Sequence, residues 1–410
     1  MTGVGAGRVL VGAGLAAGFA IAAVWSMRVG WADYQARKDT LAGTEAALRW
    51  MPDQAEYHFR LSLLTADTDP ARSIQALRRA VEVNPLDSRS WISLGLGCEA
   101  EGNLREAERC LLRAAEADRQ YLPRWTLANY YLRRNDAAGF RLWAKAAAEM
   151  VSGDASGLFR LCGSVVEDGQ LIDRIEIRRP EVRAGYLSYL LNRGRLDVMM
   201  PAVRKVIEGG READVPLLVA ACDRLLERAG AGEALEIWNR LAEAGRIPFG
   251  TLDPKSGRVL TDGRFSTTSV SSGFAWRMPA VEGISASAED NAGGLRLTFS
   301  GGEPEDFELL AQIVPVLPDT GYELGFRYRT SGIAAETGLG WRVTELGRDT
   351  VLGQAESLSS EDERSSAIWF RSSARCRLAR LALRYSRKPG TTRIAGFLVL
   401  REIAVRPSPP

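Results

Sequence analysis

The chain has 410 residues, of which 46% are hydrophobic and 25% charged, with a formal net charge of +2 and a single histidine. That leaves room for two or three domains and argues against both a disordered chain and a general polyanion binder, so no nucleic-acid partner is expected. His58 alone cannot assemble a His-based metal site or a Ser-His-Asp triad, and five cysteines without a CxxC pair suggest neither a zinc site nor a disulfide framework. Cys98, Cys162 and Cys222 fall on apolar helix faces and read as small buried hydrophobes.

Residues 1–30 form the first element. The nineteen residues between Arg8 and Arg28 carry no charge. At ~1.5 Å per residue they match the ~30 Å hydrocarbon core of a bilayer. The segment 9–27 therefore reads as a membrane anchor, with Trp25 and Trp31 where interfacial aromatics belong. A cleaved signal peptide, processed near Ala20-Ile21-Ala22, is the alternative. Gly14 and Gly18 form a GxxxG pair that permits close helix approach. No strand precedes the glycines at 3, 5, 7 and 12, so they are not a nucleotide loop. Arg28, Arg37 and Lys38 favour a cytoplasmic C-terminal part on a bare charge count. A short leader bearing Arg8 before a long translocated domain also works as an export signal. The expectation is a single-pass inner-membrane protein with periplasmic C-terminal domains.

After a helical connector over 31–52, helical periodicity runs from 53 to 249. The clearest units are 54–87, 88–121 and 122–150. Tyr57, Trp91 and Trp125 are spaced 34 residues apart. The first unit also carries Leu77, Ala80 and a closing Pro85, with Pro70 as first helical residue after Asp69. The second carries Leu94, Gly95 and Cys98, turns at Gly102-Asn103, and continues through Ala107, Leu111 and Ala114. This pattern resembles the tetratricopeptide family, whose first helix reads Trp-x-x-Leu-Gly-x-x-Tyr. In the third unit Arg141 and Lys145 replace small and aromatic residues, so its second helix is expected to be shifted or irregular. Weaker apolar stripes, among them Leu158 to Val165 and Leu218 to Leu241, extend the reading to a right-handed α-solenoid of five or six hairpins. The resemblance implies a groove for protein partners. A basic run from Arg174 to Lys205 offers selection of an acidic one.

Near residue 250 the period becomes two. Leu295, Leu297 and Phe299 alternate with polar residues, as do Tyr322, Leu324, Phe326 and Tyr328, and Leu381, Leu383 and Tyr385. One-sided strands broken by Gly, Pro, Ser and Asp clusters predict an antiparallel β-sandwich over 250–407, with 408–410 as a tail. Asp262-Gly-Arg-Phe265, Gly273-Phe-Ala-Trp-Arg277, Gln312, the strand Tyr322 to Arg329 and Gly340-Trp-Arg342 resemble carbohydrate-binding modules of the galactose-binding-like type. The resemblance implies a jelly roll, and sugar stacking on exposed aromatics, with Trp276, Trp341 and Trp369 as candidates and Trp276 foremost. Each of these rings equally suits the space between two sheets. No acidic residue interrupts the arginines from Arg371 to Arg393. Arg380 and Arg384, together with Arg327 and Arg329, form a candidate site for carboxylates or phosphates. The alternative is a solvated face paired with Glu303, Glu305, Asp306 and Glu308.

No nucleophile with a base, metal cluster, cofactor motif or marked carboxylate pair stands out, so no enzyme and no cofactor are expected. Domain order resembles the anchored repeat proteins of bacterial exopolysaccharide and O-antigen loci. The implied function is a non-catalytic scaffold in cell-surface polysaccharide assembly or export. A protein–protein adaptor with a structural sandwich and a glycan-processing enzyme are the alternatives.

Overall fold

The computed structural model describes residues 3–267, 271–289, 293–348, 350–355 and 357–408, with residues 3–12 as helix backbone. It forms two compact units, Met1–Val182 and Arg183–Pro410.

The first unit opens with α1 (Gly3–Ala36), a helix of 34 residues and therefore about 50 Å long at ~1.5 Å per residue. Its segment Ala13–Ala36 is long and apolar enough to cross a membrane. The helix does not stop where the apolar stretch ends. Ala32 and Ala36 are buried together with Ala47 of α2 (Leu41–Trp50) and Tyr57 of α3 (Ala55–Thr65). The Tyr57 hydroxyl donates to Asp33, and Arg60 donates to the Ala36 carbonyl. Thus the last turns of α1 are already part of the helical array.

The hairpin α3/α4 (Pro70–Val83) is followed by α5 (Ser88–Ala100) with α6 (Leu104–Ala117), and α7 (Tyr121–Arg133) with α8 (Ala137–Met150). Asp69, Asn103 and Asp136 each cap the second helix by accepting a main-chain N–H, which satisfies a donor the helix cannot use itself. These caps fix the repeat. Tyr57, Leu77, Ala80, Leu94, Gly95, Ala107, Leu111 and Ala114 are buried, Trp91 and Trp125 are half-buried, and Pro85 is exposed. Trp91 is held by its Nε1, which donates to the Pro85 carbonyl at 2.9 Å.

The third hairpin is shifted in register, as expected, but not irregular. Its second helix is regular and as long as α4 and α6, at 14 residues, but begins one residue early. Phe140 consequently occupies the place of Ala107, and Ala144 that of Leu111. A large residue and a small one have exchanged positions, which conserves core volume. Arg141 turns outward and Lys145 is half-exposed.

Gly95 lets α5 and α6 approach. A Cβ there would lie 2.8 Å from the Leu111 side chain and 3.2 Å from the Ala107 carbonyl. Gly95→Ala is expected to destabilise the hairpin by about 1–3 kcal/mol, the usual range for overpacking, measured as a lower urea midpoint.

Beyond Met150 the helices become uneven in length: α9 (Ser156–Gly163), α10 (Leu171–Ile175), α11 (Pro180–Asn192) and α12 (Met200–Gly209), interspersed with 3₁₀ turns. A long hairpin returns with α13 (Val215–Glu227) and α14 (Ala231–Glu243). The cysteines are all free and buried.

In the second unit the strands are β1 (Ile284–Ala288), β2 (Leu295–Phe299), β3 (Asp306–Pro315), β4 (Gly321–Ser331), β5 (Leu339–Glu345), β6 (Val351–Gln354), β7 (Arg364–Arg371), β8 (Leu378–Ser386) and β9 (Gly396–Pro407). They make two antiparallel sheets, ordered β1-β2-β9-β4-β7 and β3-β8-β5-β6. The two-residue period decides the faces. Tyr322, Leu324, Phe326 and Tyr328 of β4 are buried, as are Leu339, Trp341 and Val343 of β5 and Leu381, Leu383 and Tyr385 of β8.

The last hairpin is built into the sandwich. Trp238 of α14 is fully buried, with Phe249 stacked at 5.5 Å and Phe274 edge-on at 5.7 Å. Asp223 of α13 pairs with Arg277 at 2.6 Å and accepts the Gly273 N–H at 2.7 Å. Asn239 exchanges two 2.8 Å bonds with the main chain of Leu252. Arg277 in turn bonds main chain to main chain with Ala311, along the outer edge of β3.

Candidate functional site

Two of the three tryptophans named from sequence lie in the sandwich core. Trp341 is fully buried, 5.9 Å from Phe326 and 6.1 Å from Trp276. It presents no ring to a ligand, which corrects the expectation for that residue. Trp276 is half-buried; its ring sits 5.4 Å from Phe265, and its Nε1 donates to the Asp262 carbonyl at 3.1 Å. It plugs the core margin instead of standing free. Gln312 is also wholly enclosed. Its amide donates to Thr261 and to the Phe274 carbonyl, tying two loops together.

The arginines are spoken for. Arg380 pairs with Glu308 at 2.5 Å, Arg384 with Asp306 at 3.1 Å, and Arg387 with Glu305 at 2.6 Å. Arg327 bridges Glu363 and Glu402 at 3.0 and 2.9 Å, and Arg329 lies 3.5 Å from Glu289. Arg327 holds the Glu363 carboxyl below its usual range. An incoming anion would have to displace a carboxylate at each of these cations. Within the basic run of the helices, Arg195 pairs with Asp197 and Arg204 with Glu236. Arg179 donates to the carbonyls of Glu149 and Val151.

Trp369 is different. It projects from the solvent side of β7 with 62% of its surface exposed. Ile368 and Phe370, on either side, point into the core. Across the sheet Trp369 stands opposite Glu323 of β4, which stands opposite Arg406 of β9. The next rank is Ala367, Gly325 and Ala404. Three residues with a methyl group or less leave a trough of about 340 Å³, walled by Glu323 and Arg406 on one side and Arg327 and Glu402 on the other. Glu323 and Arg406 make no ion pair within 4 Å among the described residues, so both keep hydrogen-bonding capacity. A trough floored by small residues, with donors and acceptors at its walls and an exposed ring one rank away, is chemically suited to a sugar ring. Sequence reasoning named Trp369 and Arg327 but missed Glu323, Gly325, Ala367, Glu402, Ala404 and Arg406. No local signal marked them, since Gly325, Ala367 and Ala404 are single small residues brought together only by the pairing of β9, β4 and β7.

No family model matches the chain. No curated protein matches it either. Among solved structures it is similar to one described as "CBM4 structure and function", at 10% identity over 36% of this chain and 98% of that one, with a TM-score of 0.27. It is also similar to YrrB, described as a TPR protein with an unusual peptide-binding site, at 14% identity over 49% and 91%, with a TM-score of 0.25. A third likeness is to the MamA protein, at 14% identity over 42% and 93%, with a TM-score of 0.31. Tetratricopeptide-like hairpins followed by a jelly-roll sandwich are the fold seen directly in the helices and strands above.

A wider depression of about 930 Å³ lies around the β5 and β8 ends, lined by Asp306, Glu336, Arg342, Gln354, Arg384 and Lys388. Among the described residues the one aromatic that lines it, Trp341, is fully buried. Buried carboxylates hold turns: Glu303 accepts the N–H groups of Ser300 and Gly301, and Glu345 accepts the Ser373 hydroxyl at 2.9 Å. Among the described residues no group of three or more His, Cys, Asp or Glu side chains is placed to hold a metal ion.

Proposed function

We propose that this protein is a non-catalytic scaffold, anchored through residues 9–27, whose helical hairpins dock protein partners and whose sandwich contacts saccharide during bacterial cell-surface polysaccharide assembly or export. The observation that carries the saccharide part is Trp369, exposed on the outer face of β7 one rank beyond the lining of the Ala367–Gly325–Ala404 trough, with Glu323 and Arg406 at the wall between. A pyranose C–H face gains from the ring, and its hydroxyls gain from the flanking charges. The paired state of Arg380 and Arg384 supports a neutral or weakly acidic polymer over a strongly anionic one.

Affinity electrophoresis of the full chain in detergent through gels containing bacterial polysaccharides tests this. Trp369→Ala is expected to weaken retardation about tenfold, equivalent to ~1.4 kcal/mol. Arg380→Ala with Arg384→Ala should leave it nearly unchanged. Equal retardation of wild type and Trp369→Ala would remove the trough as the site. No retardation by any polymer would leave the adaptor reading, and turnover of one would leave the enzyme reading. For orientation, a periplasm-dependent phosphatase fused to the C-terminus should be active in cells.

A further inference from the structure

We infer that the α1–α2 hairpin is seated on the bilayer, with α2 leading the chain back down to the lipid headgroups so that Trp50 and Arg49 enter the same interfacial layer as Trp25 and Arg28. This rests on the reading of α1 as a membrane helix and adds a second point of contact with lipid.

The register of the hairpin carries the inference. A Cβ at Gly43 would lie 2.6 Å from the Gln35 carbonyl. Ala47 and Ala32 are both fully buried, and Arg28 Nε donates to the Trp50 carbonyl. The contacts therefore step from 43 with 35, through 47 with 32, to 50 with 28, as in two antiparallel rods. All ten residues of α2 are spent descending along α1.

Depth follows from charge. Counting from Arg8, the uncharged stretch fills ~30 Å by Arg28, which puts the hydrocarbon boundary there. Beyond it the helix makes aqueous-type bonds, with Asp33 accepting from Tyr57 and the Ala36 carbonyl from Arg60. Trp25 is 56% and Trp50 48% exposed on neighbouring rods; Trp50 is level with Arg28 and Trp25 lies about one helical turn deeper, with Met27 exposed between them. Amphipathic rings beside cations are the composition of a membrane–water interface. The Arg28 guanidinium lies 5.8 Å from the Trp25 ring. Neither Arg28 nor Arg49 has a carboxylate within 4 Å among the described residues, so both are available to lipid phosphates. At the opposite end of the hairpin, Asp39 does meet a cation, Arg60, at 3.9 Å.

The full chain, reconstituted into phosphatidylcholine–phosphatidylglycerol vesicles, tests this with a nitroxide label on one introduced cysteine at a time. The native cysteines are buried, so the label goes to the new thiol. Trp25→Cys, Trp50→Cys and, as a neighbour that leaves Trp50 intact, Arg49→Cys are compared with Leu86→Cys in an exposed interhelix turn. Labels at 25, 50 and 49 should collide several-fold more with oxygen, and less with a nickel chelate, than the label at 86. If 49 and 50 behave like 86 while 25 stays lipid-like, the hairpin stands clear of the bilayer and the inference fails with the anchor intact. If 25 also behaves like 86, the anchor reading itself fails, and this inference with it.

Discussion

Gly273→Ala is expected to lower the stability of the second unit by about 3 kcal/mol, combining a strained backbone with an overpacked core. The glycine has φ of +64°, where a side chain is disfavoured, and a Cβ would sit 2.5 Å from Trp238 Cζ3. Trp238 has no room to retreat, since it is fully buried with Phe249 and Phe274 against it. Backing the loop away instead would break the Gly273 N–H bond to Asp223 and loosen the Asp223–Arg277 pair. The measurement is the guanidinium midpoint followed by tryptophan fluorescence. Gly250→Ala, where a Cβ meets nothing within 4 Å, should shift it by no more than about 0.5 kcal/mol. Equal midpoints for the two variants would show that the α13/α14 hairpin does not grip the sandwich.

Gln312→Leu is expected to cost about 2–3 kcal/mol while leaving saccharide affinity unchanged, because the amide it removes serves the fold. Its Nε2 donates to the Thr261 carbonyl at 3.2 Å and to the Phe274 carbonyl at 2.7 Å in a fully buried site. The Thr261 hydroxyl still reaches the Phe274 carbonyl at 2.7 Å, so one acceptor keeps a partner and the other loses its own. Thermal melting and affinity electrophoresis on the same preparation separate the two roles. A loss of affinity without a loss of stability would place Gln312 in the binding machinery.

How much was legible depended on whether information was local. Helices α3 to α7 follow from the apolar period and from a capping residue before α4 and α6. The start of α8 was hidden because Phe140 and Ala144 exchange sizes relative to Ala107 and Leu111, so the motif disappears although the packed volume survives. Trp341 was readable as inward: it keeps step with Leu339 and Val343 while Gly340 and Arg342 alternate outward. Trp369 was not, since it stands in the continuous apolar run Ala367 to Phe370, where either parity fits. The partners of the arginines were the least accessible. Glu308 and Asp306 stand 72 and 78 residues away from Arg380 and Arg384, and only the pairing of β3 with β8 brings them together.

The bridge between Arg277 and Ala311 bears on what happens when this chain is cut. β3 borders its sheet and has β8 as neighbour on one flank only. On the other, a stretch of main chain tethered to α13 through Asp223 lies over it. Severing the chain at the helix-to-strand changeover near 250 would untether that cover, so that the amide and carbonyl of Ala311 would join an open edge able to take a strand from a neighbouring molecule. A fragment trimmed to the strands alone is therefore expected to self-associate more readily than the full chain, in which the α13/α14 hairpin anchors the segment guarding this edge.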